Sequence, residues 1–226
     1  MTPAVSTTCR VCLFDRAEPF AHVGGRDYWR CPQCAATFMD DSQLPDADIE
    51  RAQYLLHEND PEDAGYRRFL DQLAAPLLRR LPPAQRGLDY GCGPGPALGR
   101  MLTEAGHVVR LYDPFFQPVA SALEGTYDFI TCTEVAEHFH HPWREFTWLD
   151  TRLRPGGWLG IMTCFQTDDE RFADWHYRRD PTHVVFYRAE TFEHLAGRFG
   201  WRCEIPADNV VLMRKNPAAA GAERKE

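Results

Sequence analysis

The chain has 226 residues, 44% hydrophobic and 26% charged, enough apolar material for the core of one α/β domain with a small addition. Its net charge of −8 at pH 7 argues against general affinity for nucleic acid, which depends on neutralising phosphates. No apolar run approaches the ~20 residues of a membrane span, and no basic-then-apolar leader opens the chain, so a cytoplasmic location with reduced thiols is expected for its eight cysteines.

In chain order, the first feature is a pair of C-x2-C knuckles, Cys9-Arg-Val-Cys12 and Cys31-Pro-Gln-Cys34, with 18 residues between them. Two tight turns at this spacing supply four thiolates to one tetrahedral zinc. The intervening Phe14, Phe20, Val23, Tyr28 and Trp29 make too small a core without metal, and Gly24-Gly25 marks a hairpin turn. Four cysteines leave no open coordination position, so residues 1–45 are expected to form a structural zinc ribbon. A redox C-x-x-C pair is the rival. An acidic linker follows (Asp40, Asp41, Asp46, Asp48, Glu50), expected to be a solvated face. Within the linker and N-terminal helices, residues 46–83, Tyr66, Phe69, Leu70, Leu73, Leu77, Leu78 and Leu81 recur at helical spacing from Pro61, and Pro82-Pro83 ends the pattern.

Residues 84–215 open on Gly87-Leu-Asp-Tyr-Gly-Cys-Gly-Pro-Gly-Pro96, the grammar of a buried strand, a tight turn and a helix start over Ala97–Ala105. Alternate glycines let backbone approach a ligand closely. A dinucleotide fingerprint fails in both registers, and no Gly-Lys-Ser/Thr completes a phosphate loop. Asp89-x-Gly91-x-Gly93-x-Gly95 resembles instead the first motif of the class I methyltransferases that use S-adenosylmethionine. The resemblance implies that the glycine turn passes beneath the cofactor and that Asp89 helps hold its amino group. It places Asp113, after the strand His107–Tyr112, on the ribose hydroxyls.

Only thirteen residues separate Asp113 from Tyr127, where the family's fourth strand begins. A parallel crossover alone needs about a dozen, so the third strand is expected to be reduced or absent and Phe115 and Phe116 to flank the adenine in its place. Thr133-Glu134-Val-Ala-Glu137-His138 resembles the E-V-x-E-H segment of small-molecule methyltransferases. That likeness implies cofactor contacts from Thr133 and Glu134, a catalytic part for Glu134 and His138, and a divalent cation such as magnesium on Glu134, Glu137 and His138. His140 and His141 are expected to be exposed. Leu153-Arg-Pro-Gly-Gly157 before Trp158–Phe165 is a further family signature, with Cys132 and Cys164 inert in the central strands.

The connection from Asp168 to Tyr187 is longer than the fold needs and rich in polar and aromatic side chains, as functional loops are. Trp175, His176, Tyr177, Arg178, Arg179 and Tyr187 are read as a substrate lid, with the two arginines available to an anionic acceptor or to Asp174 and Asp180. His183 is the first choice for general base, because an imidazole can take a proton near neutral pH. A helix over Thr191–Phe199 stops at Gly200, a final antiparallel pair follows, and residues 216–226 read as a disordered tail.

These expectations amount to a Rossmann-like methyltransferase sheet of order 3-2-1-4-5-7-6, strand 3 doubtful, behind an N-terminal zinc ribbon. Its cofactors would be S-adenosylmethionine and structural zinc, and its acceptor a small molecule. Two alternatives stand beside it: an RNA-base methyltransferase using the ribbon for recognition, since a ribbon before such a domain resembles certain ribosomal-RNA methyltransferases, and a non-catalytic S-adenosylmethionine-binding or zinc-ribbon adaptor.

Overall fold

The structure, a computed structural model, describes residues 6–56 and 59–217; the expected tail therefore lies outside the described residues beyond position 217. Its elements in chain order are β1 (Glu18–Val23), β2 (Arg26–Arg30), β3 (Thr37–Met39), α1 (Ala47–Tyr54), α2 (Ala64–Leu78), β4 (Arg86–Tyr90), α3 (Ala97–Glu104), β5 (Val108–Tyr112), α4 (Ser121–Glu124), β6 (Tyr127–Thr133), α5 (Pro142–Arg152), β7 (Leu153–Met162), β8 (Val185–Phe186), α6 (Ala189–Phe199), β9 (Trp201–Ala207) and β10 (Val210–Lys215).

The larger sheet has six strands in the order β5-β4-β6-β7-β10-β9, parallel except where β10 pairs with β7 and with β9. This is the family order without its edge strand. The short link from Asp113 to Tyr127 holds only the single turn α4, so the sheet ends at β5 as the residue count requires. Side chains alternate across it: Phe129, Leu212 and Trp158 pack with α2 and α3, while Ile130, Val211 and Leu159 pack with α5 and α6. Helix α2 begins later than Pro61, because the Asp63 carboxylate accepts from the Tyr66 amide. Pro155 to Gly157, expected as a turn before the fifth strand, lie within β7, where the register against β6 jumps.

The smaller sheet differs more from expectation. Strands β1 and β2 form the hairpin around Gly24-Gly25, whose φ values of 60° and 74° need glycine. Strand β3 follows, and the fourth member is β8, from beyond Asp180-Pro-Thr-His183, with Thr37 paired to Phe186 and Phe38 to Val185. The ribbon and the larger sheet share one hydrophobic core, in which Tyr28, Phe38, Phe172 and Phe186 are continuous with Ile130, Phe146 and Leu195.

Arg10, inside the first knuckle, is the polar counterpart of that shared core. Its buried guanidinium donates to the carbonyls of Met39 (2.6 Å) and His140 (2.9 Å), and its Nε lies 3.1 Å from Asp41. The Arg10 carbonyl accepts from the Trp143 amide at the start of α5, and Arg198 donates to the carbonyl of Cys12. The cysteine knuckles are thereby fixed to the loops that end at the cavity described next.

Candidate active site

The carboxyl ends of β4, β5 and β6 open into a cavity of about 780 Å³. Ligands of open α/β sheets bind at such strand ends. The glycine turn forms its floor, and the three glycines are needed for different reasons. A Cβ on Gly91 would meet Val135 at 2.4 Å, and one on Gly95 would fall 1.8 Å from the carbonyl oxygen of Asn59. Close packing of the turn against its own protein, more than approach of a ligand, demands those two. Gly93, with φ of 66°, meets only Asn59 at 3.4 Å and is the glycine that faces open cavity.

Asp89 is 4% exposed, and its two oxygens accept from the Gly99 amide and the Thr131 hydroxyl. It caps α3 from the preceding strand, a service that Pro96 at the cap position does not perform. Burial raises its carboxyl to about 6. Asp113 accepts from the amides of Gly93, Phe115 and Phe116, tying the glycine turn to the loop after β5. Both acids line the cavity, as do Phe115, Phe116, Thr133 and Glu134. Phe115 packs edge-on against Tyr54 with ring centroids 5.4 Å apart. The Thr133 hydroxyl is buried on this wall without a hydrogen-bond partner, a group that a polar ligand would satisfy.

The E-V-x-E-H segment leaves β6 through Glu134, held at φ 53°, a conformation that costs energy for a residue with a Cβ. Burial, and then the neighbouring Glu137 charge, raise the Glu134 carboxyl to about 9, so it is protonated at neutral pH. Glu137 is fully buried; its oxygens accept from Thr163 Oγ1 and from the Tyr177 hydroxyl, and burial raises its pKa also. The expected cation trio of Glu134, Glu137 and His138 is therefore not the set that converges. Glu137, His138 and His183 are, with donor atoms within 4.8 Å of one another, while Glu134 turns to the Tyr177 hydroxyl at 3.3 Å.

The two histidines have defined tautomers. His138 Nδ1 lies 3.0 Å from the Thr182 carbonyl and His183 Nδ1 lies 2.6 Å from the Tyr177 carbonyl. A carbonyl only accepts, so Nδ1 carries the hydrogen in each ring and Nε2 of the neutral ring is an acceptor. His183 is 7% exposed, and burial lowers its pKa and favours that neutral form.

The lid expectation needs correction. Of the connection between β7 and α6, only Asp180 and His183 line the cavity. Trp175 packs on Tyr177 and Phe186, and Phe172 on Phe20 and Tyr28, so this segment is absorbed into the ribbon core. Trp175 and His176 border a second cavity of about 560 Å³ beside Asp168 and Glu170. Arg178 donates to the Ala173 carbonyl, Tyr187 is fully buried with its hydroxyl on the Ala136 carbonyl, and Arg179 does not reach the first cavity. Conversely, Glu50 and His140, expected in solvent, face each other across the first cavity at 3.1 Å, the Glu50 side chain 13% exposed. Glu50, Glu145 and Asp180 are acidic lining residues that the sequence did not place at a site. The i+4 placement of Tyr54 on the same helix was the one available signal for Glu50.

In the ribbon, the sulfurs of Cys9 and Cys34 are 3.7 Å apart and those of Cys12 and Cys31 3.6 Å, with all four buried. Tetrahedral Zn–S bonds of ~2.3 Å imply S···S separations of about 3.8 Å, so the donor set fits that ion. The knuckles are built alike: Leu13 and Ala35 follow their second cysteines at φ 65° and 59°, and each donates its amide to the carbonyl of the knuckle's first cysteine. Amides of Val11 and Cys34 point at the sulfurs of Cys9 and Cys31, as outer-shell donors to a thiolate site do.

Comparison with known proteins bears on the fold and the family. Among solved structures, magnesium protoporphyrin IX methyltransferase from Synechocystis PCC 6803 aligns with a TM-score of 0.52 at 14% identity, over 75% of this chain and 94% of that one. A 1,6-didemethyltoxoflavin-N1-methyltransferase from Burkholderia thailandensis gives 0.49 at 17% identity over 88% and 100% of the two chains. Phosphoethanolamine N-methyltransferase 2 from Haemonchus contortus gives 0.47 at 21% over 72% and 44%. At 14% identity the likeness to the Synechocystis structure speaks to fold alone. No curated protein sequence matches significantly. Residues 63–204 match the profile of a family described as methyltransferase domain, a span from the cap of α2 into β9. With well over half of its residues in that match, the chain belongs to the methyltransferase-domain family.

Proposed function

We propose that the protein transfers a methyl group from S-adenosylmethionine to a small molecule, with His183 as the base that receives the acceptor's proton. The observation that carries this reading is that one cavity is lined both by the glycine turn with Asp113 and by His183, whose Nδ1 is engaged by the Tyr177 carbonyl. The cofactor supplies an electrophilic sulfonium methyl. Asp113 would accept from its ribose hydroxyls, Thr133 Oγ1 would gain a partner, and Phe115 with Tyr54 would cover it. His183 is held in one tautomer by the Tyr177 carbonyl, and in-line positioning of acceptor and methyl does the rest of the catalytic work.

We assign deprotonation to His183 in preference to a divalent cation, since Glu137 already accepts two hydrogen bonds and burial keeps Glu134 protonated. The four ribbon cysteines are taken to hold one structural zinc, and residues 1–45 to act as a fixed wall of the methyltransferase domain (84–215). The second reading is RNA-base methylation, with the ribbon as the recognition module.

The test is an incubation with methyl-labelled S-adenosylmethionine and cell extract, split into small molecules, RNA and protein. Label among the small molecules, lost in His183→Gln with cofactor affinity retained, is the expected result. Label in RNA overturns the acceptor class, and tight S-adenosylhomocysteine binding with no label anywhere would favour the adaptor reading.

A further inference from the structure

The polar wall on the acceptor side of the cavity is rich in hydrogen-bond acceptors, with the Tyr54 hydroxyl and the His140 ring, 3.1 Å from Glu50, as donors among them. Helix α1 contributes Glu50 and Tyr54, the segment after β6 contributes His138 and His140, and the segment before β8 contributes Asp180 and His183. Asp180 accepts from the amide and hydroxyl of Thr182 and from Gln53, and these bonds hold its pKa below the usual carboxylate range. The Nδ1 hydrogens of His138 and His183 are already given to carbonyls. Across the whole cavity the described lining includes six carboxylic side chains and neither a lysine nor an arginine.

A phosphate or carboxylate placed here would lose its hydration and meet like charge in place of donors. Sites that bind such groups supply arginine forks, lysines or helix N-termini. Arg178 and Arg179 do not line the cavity, and Arg178 donates instead to the Ala173 carbonyl. A ligand that donates hydrogen bonds and carries positive charge is matched on every count, and the rings of Tyr54 and Phe115 add faces to which a cation is attracted.

We infer that the methyl acceptor is a cationic small molecule, with a protonated amine set against Glu50 and Asp180 and a nucleophilic hydroxyl or neutral amino group directed at His183. The inference rests on the methyl-transfer reading above. In the step itself, the acceptor's lone pair forms the new bond to the methyl carbon while the carbon–sulfur bond breaks, its electron pair staying on sulfur. The acceptor's proton passes to His183 Nε2 and then to solvent, so charge and atoms balance.

The test uses the full chain purified with its metal. S-Adenosylhomocysteine binding is first measured by calorimetry, which checks the cofactor half independently. The chain is then incubated with labelled cofactor and the small-molecule fraction of a cell extract, charcoal removes adenine-bearing species, and the labelled product is resolved on cation and anion exchangers at neutral pH. Retention on the cation exchanger is expected, and Glu50→Gln should lower kcat/KM for that fraction at least tenfold while moving the S-adenosylhomocysteine Kd less than twofold. Asp180→Asn provides a second variant with the same expectation. Labelled product held on the anion exchanger, or passing through both, overturns the cationic acceptor and leaves methyl transfer standing. Unchanged kcat/KM in both variants overturns it as well. Cofactor binding without any labelled small molecule removes the methyl-transfer reading and this inference with it.

Discussion

Replacing Arg10 with methionine tests whether the ribbon is a built-in wall of the domain or an appendage. The side chain keeps its apolar length but loses the guanidinium, so the carbonyls of Met39 and His140 lose donors at 2.6 and 2.9 Å in a region where Arg10 is 8% exposed. Each buried acceptor left without its partner costs about 1–3 kcal/mol. The pair with Asp41, whose side chain is 71% exposed, adds little, since surface pairs are worth about 0–1 kcal/mol. A loss of about 2–6 kcal/mol is expected, and at roughly 2–4 °C per kcal/mol for a chain of 226 residues the melting temperature should fall by at least about 4 °C. Scanning calorimetry measures this, with zinc content checked by atomic absorption because the thiols are untouched. Asp41→Asn serves as the control and should shift melting by less than about 2 °C. A result for Arg10→Met no larger than that control would refute the claim that its carbonyl bonds join the two parts.

The remaining predictions concern the first cavity and the cysteine cluster. Glu134→Gln should stabilise the protein at pH 7: the unfolded carboxyl ionises near 4.5 and the folded one near 9, so folding loses stability as pH rises between those values. At 1.36 kcal/mol per unit the gain at pH 7 is up to roughly 3 kcal/mol and should vanish below pH 4.5; equal melting shifts at pH 4 and 7 would contradict it. Asp113→Ala should weaken S-adenosylmethionine binding at least tenfold, in keeping with about 1.5–3 kcal/mol for charged hydrogen bonds, and calorimetry showing an unchanged Kd would remove it from the cofactor site. Metal analysis should find one zinc per chain, lost in Cys31→Ser together with cooperative melting of the ribbon. A metal-free chain that melts like the loaded one would argue for a thiol-only core.

Read from sequence alone, short-range patterns carried most of the fold. The glycine turn, the missing edge strand and the paired knuckles depend on spacing within a few tens of residues, where backbone geometry leaves few options, while the order of strands came from the family resemblance. Asp89, Gly93 and Asp113, which the family resemblance put beside a cofactor, sit at strand ends and line the cavity. What position each holds was legible; what else it binds was not. The α3 amide that Asp89 caps belongs to the next element, and the Val135 that fills the space above Gly91 lies 44 residues on.

Tertiary structure decided the acceptor side. The pairing of β3 with β8, the Arg10 bonds to Met39 and His140, and the meeting of Glu50 with His140 join residues 29 to 149 positions apart. Nothing in their local sequence distinguishes Glu50 or Asp180 from a solvated acid, or Trp175 from a lid. Their roles follow from which surfaces bury one another, and the ribbon settles that by taking the aromatic side chains of the connection into its own core and leaving Asp180 and His183 facing the cavity.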